Sequence, residues 1–191
     1  MKKMAVFASG AGTNTKKIID HFSEKTKNAA VSLIASNKQG AGVLEIAKNE
    51  NVATLLIEKE RFFRGDGYVP ELRSRQIDFI VLAGFLWKIP VTLITAYPRK
   101  IINIHPALLP KFGGKGMYGD FVHEAVLQEG ENESGVTIHY VDEHYDHGSI
   151  IFQAKCGIEP NENHASLSKK IHLLEHTHYP QIIEQVLNNI N

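Results

Sequence analysis

The chain has 191 residues, 43% of them apolar, which suits one compact domain burying roughly 70% of the surface its unfolded form would expose. Twenty-one basic residues balance twenty-one acidic ones, so the long-range field that gathers nucleic acid or an anionic membrane is missing and phosphate recognition must be local. The lone cysteine, Cys156, excludes an intrachain disulfide, and the start from Met1 to Ala8 is too short an apolar run for a secretory signal; with no apolar stretch near the roughly 20 residues of a membrane span, a reducing cytoplasm is the expected compartment.

In chain order, the first hundred residues alternate short apolar runs with amphipathic segments, the pattern of βαβ units and a parallel sheet. Strands are predicted near 4–8, 30–35, 53–57, 78–83 and 100–104, and helices near 14–24, 41–50, 67–75 and 90–96. The run 77–83 is apolar almost throughout, as in a strand covered on both faces, and is placed in mid-sheet. Beyond residue 110 a Gly-rich loop, 111–119, is either mobile or ligand-facing and leads into a helix at 120–129. Segments 136–141 and 150–154 read as strands joined by the polar loop 142–149, and 163–187 as a long closing helix.

Four segments carry candidate chemistry. The turn from Ser9 to Asn14 joins a strand to a helix, so backbone N–H groups and the helix's positive end converge on an anion site in outline, with Gly12 allowing close approach and the Thr13 hydroxyl and Asn14 amide able to add bonds; a capped tight turn is the structural alternative. Asn103 and His105 lie two apart at the carboxyl end of a strand and so share a face, at the edge where open α/β sheets hold ligands. An amide beside an imidazole suits acyl transfer, one stabilising an oxyanion and the other handling a proton. The loop 142–148 crowds acids and imidazoles, and a carboxylate from it would orient His105 and favour its charged form. The apolar stretch 83–90 either packs the core or lines a pocket for a flat heterocycle. His139, His144, His147, His172 and His176 offer metal ligands without a supporting Cys or H-E-x-x-H pattern.

Six segments in register, A-S-G-A-G-T-N (8–14), V-L-A-G-F (81–85), I-N-I-H-P-A-L-L-P-K (102–111), H-E-A-V (123–126), the H-Y-V…D-x-G stretch of 139–148 and E-H-x-x-Y-P (175–180), give the chain a resemblance to glycinamide ribonucleotide formyltransferases, the single-domain members of the folate-dependent formyltransferase family. The resemblance runs nearly end to end. It implies an α/β fold, an open, mostly parallel twisted sheet of Rossmann-like kind with helices on both faces and antiparallel strands in the C-terminal part, as one catalytic domain over 1–191. It also implies that 10-formyltetrahydrofolate is cosubstrate, the acceptor is glycinamide ribonucleotide in purine biosynthesis, and no metal is used.

By the same resemblance Asn103, His105 and Asp146 match the family's catalytic trio, Gly12, Thr13 and Asn14 its phosphate-binding turn, and Glu175 a further acceptor contact. The folate site would take Leu86, Trp87, Lys88 and Ile89, with Asn103, Val141 and Asp142, and Arg61 near the folate tail. Protonated His105 and Asn103 would stabilise the oxyanion while Asp146 keeps His105 charged. Trp87, Lys88, His147 and the long loop 112–119 depart from the family pattern, His147 standing where it could shift the acid–base balance beside Asp146. The implied partners are the two small molecules, with no nucleic acid and no membrane, in a monomer or homodimer. The competing acceptors are a tRNA, for which a second basic domain is expected, and a sugar-nucleotide amine; a hydrolase would carry a preceding regulatory domain. A non-catalytic folate- or nucleotide-binding module is the alternative from another class.

Overall fold

The computed structural model describes residues 1–24, 26 and 28–190. In chain order its elements are β1 (Lys2–Phe7), α1 (Thr13–Glu24), β2 (Ala29–Ser36), α2 (Gly42–Asn49), β3 (Ala53–Leu56), α3 (Lys59–Arg64), α4 (Val69–Ser74), β4 (Phe79–Leu82), α5 (Val91–Ala96), β5 (Ile101–His105), α6 (Asp120–Gln128), β6 (Glu133–Tyr140), β7 (Ile150–Gly157) and α7 (His164–Asn188). The strands form one sheet in the order β3-β2-β1-β4-β5-β6-β7. The pairs from β3 through β5 are parallel, and β5–β6 and β6–β7 are antiparallel. The α/β sheet expected from the alternating pattern is therefore present, and β4, buried at every position, is the fourth of the seven strands.

Two departures have physical causes. Helix α3 falls where no element was expected, because six residues hold too few turns for a 3.6-residue period to show. Strand β6 begins at Glu133 and β7 runs to Gly157 because the two extend each other by pairing, Glu133 opposite Gly157. Gly135 permits that pairing, since a Cβ there would lie 2.0 Å from the Ala154 carbonyl oxygen.

Side chains alternate across the sheet. Met4, Val6, Phe79, Val81, Ile102 and Ile104 pack with α1, α6 and α7 on one face, while Ala5, Phe7, Ile80, Leu82 and Ile101 pack with Phe62 of α3, Leu72 of α4 and Leu93 of α5 on the other. The long α7 is fastened to the sheet by fully buried Tyr179, whose hydroxyl donates to the Leu82 carbonyl at 2.9 Å. From β1 the chain winds outward to β2 and β3, then returns to β4 and continues to β5 on the other side. The strand order thus reverses between β1 and β4, and the crevice at their carboxyl ends is where such sheets bind ligands.

Candidate active site

At that reversal the turn after β1 meets the loop after β4. Ser9 ties them, its N–H donating to the Gly84 carbonyl at 3.0 Å and its hydroxyl accepting the Leu86 N–H at 3.0 Å. Gly12 has φ +81°, and a Cβ there would stand 2.8 Å from Val43 of α2, so no other residue fits without displacement. Thr13 and Asn14 open α1, whose first turn presents N–H groups without intrahelical acceptors and the positive end of the helix.

Beside this turn Asn103 and His105 project from the end of β5 into a cavity of about 670 Å³. Asp146 reaches the same cavity from the β6–β7 loop with φ +51°, in the left-handed region that Asp tolerates better than most residues. Its Oδ2 accepts the Gly114 N–H at 2.9 Å and lies 3.6 Å from His105 Nδ1. Its Oδ1 accepts from Asn103 Nδ2 at 3.4 Å and lies 3.7 Å from His139 Nε2. His105 Nε2 donates to the Phe112 carbonyl at 2.7 Å, so the Gly-rich loop holds both the histidine and the carboxylate.

His139 completes the network, a part the sequence did not assign to it; there it stood only as a possible metal ligand and as the first residue of the H-Y-V segment. It stands opposite Asn103 in the β5–β6 register, is 2% exposed, and donates from Nδ1 to the Tyr140 carbonyl at 2.9 Å. That leaves Nε2 to accept from Asn103 Nδ2 at 3.1 Å. Only the register marks this residue, and the sequence does not reveal the register.

The electrostatics amend one expectation. Burial pushes His105 below the usual imidazole range against the pull of Asp146 and the Phe112 carbonyl, which favours the neutral ring. The carboxylate does not keep it charged, because desolvation outweighs an attraction acting over 3.6 Å. Burial likewise pushes Asp146 up, yet the neighbouring His139 and His105 rings and the Gly114 N–H together hold its carboxyl below the ordinary value. His147 takes no part: its ring is largely exposed and bonds Asp142 at 2.8 Å.

Of the other predicted residues, Gly12, Thr13, Asn14, Leu86 and Glu175 line the cavity, whereas Trp87, Lys88, Ile89, Val141, Asp142 and Arg61 lie outside its lining. Ile89 is buried in the core, and Trp87 packs against it with Phe62, Phe63 and Phe85. Arg61 pairs with Asp66 at 3.1 Å and lies over the Tyr68 ring. The Asn14 amide is turned toward α7, Nδ2 donating to Glu175 Oε2 at 2.9 Å, and its oxygen is buried without a partner. Among the described residues the side chains grouped like metal ligands are Asp142, His144 and His147 on the β6–β7 loop; His139, His172 and His176 stand apart from them.

A turn that presents backbone N–H groups, an amide, an imidazole and a carboxylate lining one cavity form an arrangement able to hold a phosphorylated molecule and stabilise an oxyanion beside it. A family model described as formyl transferase matches residues 2–183. A chloroplastic phosphoribosylglycinamide formyltransferase of Arabidopsis thaliana is 42% identical over 187 residues, covering 95% of this chain and 64% of that protein, so the chain spans under two thirds of that relative's length. The phosphoribosylglycinamide formyltransferase of Bacillus subtilis is 36% identical over 98% of this chain and 95% of its own. The crystal structure of the Bacillus halodurans phosphoribosylglycinamide formyltransferase superposes with a TM-score of 0.89 at 35% identity, over 98% of this chain and 96% of that one. The chain belongs to the formyl transferase family. None of its described helices is long and apolar enough to cross a membrane.

Proposed function

We propose that the chain, acting over residues 1–191 as one catalytic unit in the cytoplasm, transfers the formyl group of 10-formyltetrahydrofolate to the amine of glycinamide ribonucleotide in purine biosynthesis. The observation that carries this reading is the meeting of Asn103, His105 and Asp146 with the Gly12–Asn14 turn on one cavity. The ribonucleotide phosphate sits on the N–H groups of that turn and its glycyl amine points at Asn103 and His105. The donor's pterin lies along Leu86, Trp87, Lys88 and Ile89 and the backbone near Val141 and Asp142, with its tail toward Arg61. Glu175 contacts the acceptor from α7.

The neutral amine attacks the formyl carbon, and the carbonyl pair moves onto oxygen. Asn103 stabilises that oxyanion by turning toward it the N–H now spent on its longest bond, 3.4 Å to Asp146. His105, neutral before reaction, takes a proton from solvent as negative charge grows beside it, Asp146 stabilising the imidazolium, and returns it to solvent when the carbonyl re-forms. The proton on the attacking nitrogen passes through water near Asp146 to the folate nitrogen. The carbon–nitrogen bond to folate then breaks, leaving formylated acceptor and tetrahydrofolate. No metal and no covalent bond to the protein is required by this route.

The test offers purified protein and 10-formyltetrahydrofolate a set of acceptors and follows tetrahydrofolate release. Release with glycinamide ribonucleotide, and background rates with a sugar-nucleotide amine, with initiator tRNA and with no acceptor, is the expected result. Fast release without acceptor would instead make the protein a hydrolase.

A further inference from the structure

Outside the catalytic group, the β6–β7 loop gathers a second set of ligating side chains. Asp142, His144 and His147 each offer one atom, a carboxylate oxygen and two imidazole nitrogens, and the three atoms lie within 4.8 Å of one another. Asp142 Oδ2 faces His147 Nδ1 at 2.8 Å, and the His144 and His147 rings meet edge to face with centroids 5.3 Å apart. None of the three lines the active-site cavity, whereas Asp146, between the two histidines in sequence, turns inward to it. A surface ion pair accounts for Asp142 and His147 alone; it gives no reason for a second imidazole beside them.

Two imidazoles and a carboxylate are the donors that suit borderline divalent ions such as zinc, which take three protein ligands and complete a tetrahedron with water. With bonds of about 2.0–2.2 Å, the ligand atoms of a tetrahedron stand about 3.4 Å apart. The Asp142–His147 pair would open by about half an ångström, and the widest separation in the set would close by no more than about 1.4 Å. Small rotations of exposed side chains supply both. The loop itself is already closed. At its base the Tyr140 N–H donates to the Ser149 carbonyl at 2.9 Å and the Val141 N–H to the Ile101 carbonyl at 3.0 Å, and further out the His144 N–H donates to Asp142 Oδ1 at 2.8 Å. The ordering entropy that keeps scattered surface histidines and acids from holding an ion is thus largely lost on folding rather than on binding.

We infer that Asp142, His144 and His147 form a binding site for a divalent transition ion of the zinc class, which staples the loop that carries Asp146. The ion takes the place of the proton shared by Asp142 and His147, and water fills its remaining position. It supplies no chemistry to formyl transfer, so the inference stands independently of the acceptor assigned above.

Titration of metal-free protein with Co²⁺ and then Zn²⁺, followed by absorption and calorimetry, tests this without reference to turnover. Wild type should bind Co²⁺ with the d–d bands of a four-coordinate nitrogen–oxygen site and no thiolate charge-transfer band, and Zn²⁺ should displace it. Both histidines are exposed, so substituting them leaves the core untouched. His144→Gln and His147→Gln should each bind at least about 10-fold more weakly, since losing even an outer-shell partner of a metal ligand costs about 10–100-fold. Zinc at about 100 times its Kd should raise the wild-type melting temperature by about 5 °C or more and slow hydrogen exchange over residues 142–147, and should do neither in the double variant. A thiolate band, which would put the ion on Cys156, affinity retained in both single variants, or no binding by wild type would each overturn the inference.

Discussion

The Asp146 carboxylate is held by the Gly114 N–H at 2.9 Å and faces His105, Asn103 and His139. An amide at this position keeps the shape but loses the charge and turns an NH₂ toward one of its donors. Asp146→Asn should therefore lower kcat by about 100-fold or more with little change in acceptor KM, measured by single-turnover formyl transfer; a change confined to KM would mean that Asp146 only positions substrate. Gly12→Ala forces a Cβ onto Val43 in a left-handed backbone and should cost about 1–3 kcal/mol of stability, read by urea denaturation, while raising the acceptor KM. At this scale the sequence is informative wherever a local rule applies. Asn103 and His105 share a face by the two-residue period of a strand, and Gly12 stands in a strand-to-helix turn. The place of His139 beside Asn103 was missed because it depends on strand register, which is not a local property.

Helix α3 shows the same limit among elements. Its Lys-Glu-Arg-Phe-Phe-Arg segment is too short to reveal a period, yet Phe62 is fully buried and packs against Phe63, Phe85 and Trp87. Phe62→Ala should cost about 3–5 kcal/mol. It should also loosen the Leu86–Ile89 stretch, seen as a change in emission of Trp87, the one tryptophan, and as a raised folate KM. Unchanged emission with normal stability would show that α3 does not support that loop. The long elements were legible. The apolar run of β4 announced a strand covered on both faces, and α7 was expected within a residue of its ends. The extra length of β6 and β7 was not, because each strand is stabilised there by the other.

For the whole molecule, the alternation of strands and helices fixes a parallel sheet, and the reversal of strand order between β1 and β4 puts the site at one crevice. Shifts in histidine titration then predict how stability follows pH. Burial lowers His105, His123 and His176, while the bond to Glu175 raises His172. The three lowered groups bind protons more readily in the unfolded chain, so stability complete above the unfolded value of about 6.5 is lost as pH falls through it; His172 contributes the opposite sign and offsets only part. The urea midpoint should drop between pH 7 and 5.5, and less steeply in His123→Leu; a midpoint that holds or rises would contradict the burial of these rings. The central claim, that this cavity transfers a formyl group by means of His105, is tested most directly by tetrahydrofolate release from 10-formyltetrahydrofolate and glycinamide ribonucleotide in wild type and His105→Ala. Acceptor-dependent release that falls by about 100-fold or more in the variant, with both substrates still bound, is the predicted result; equal rates in the two proteins, or no release from wild type, would contradict it.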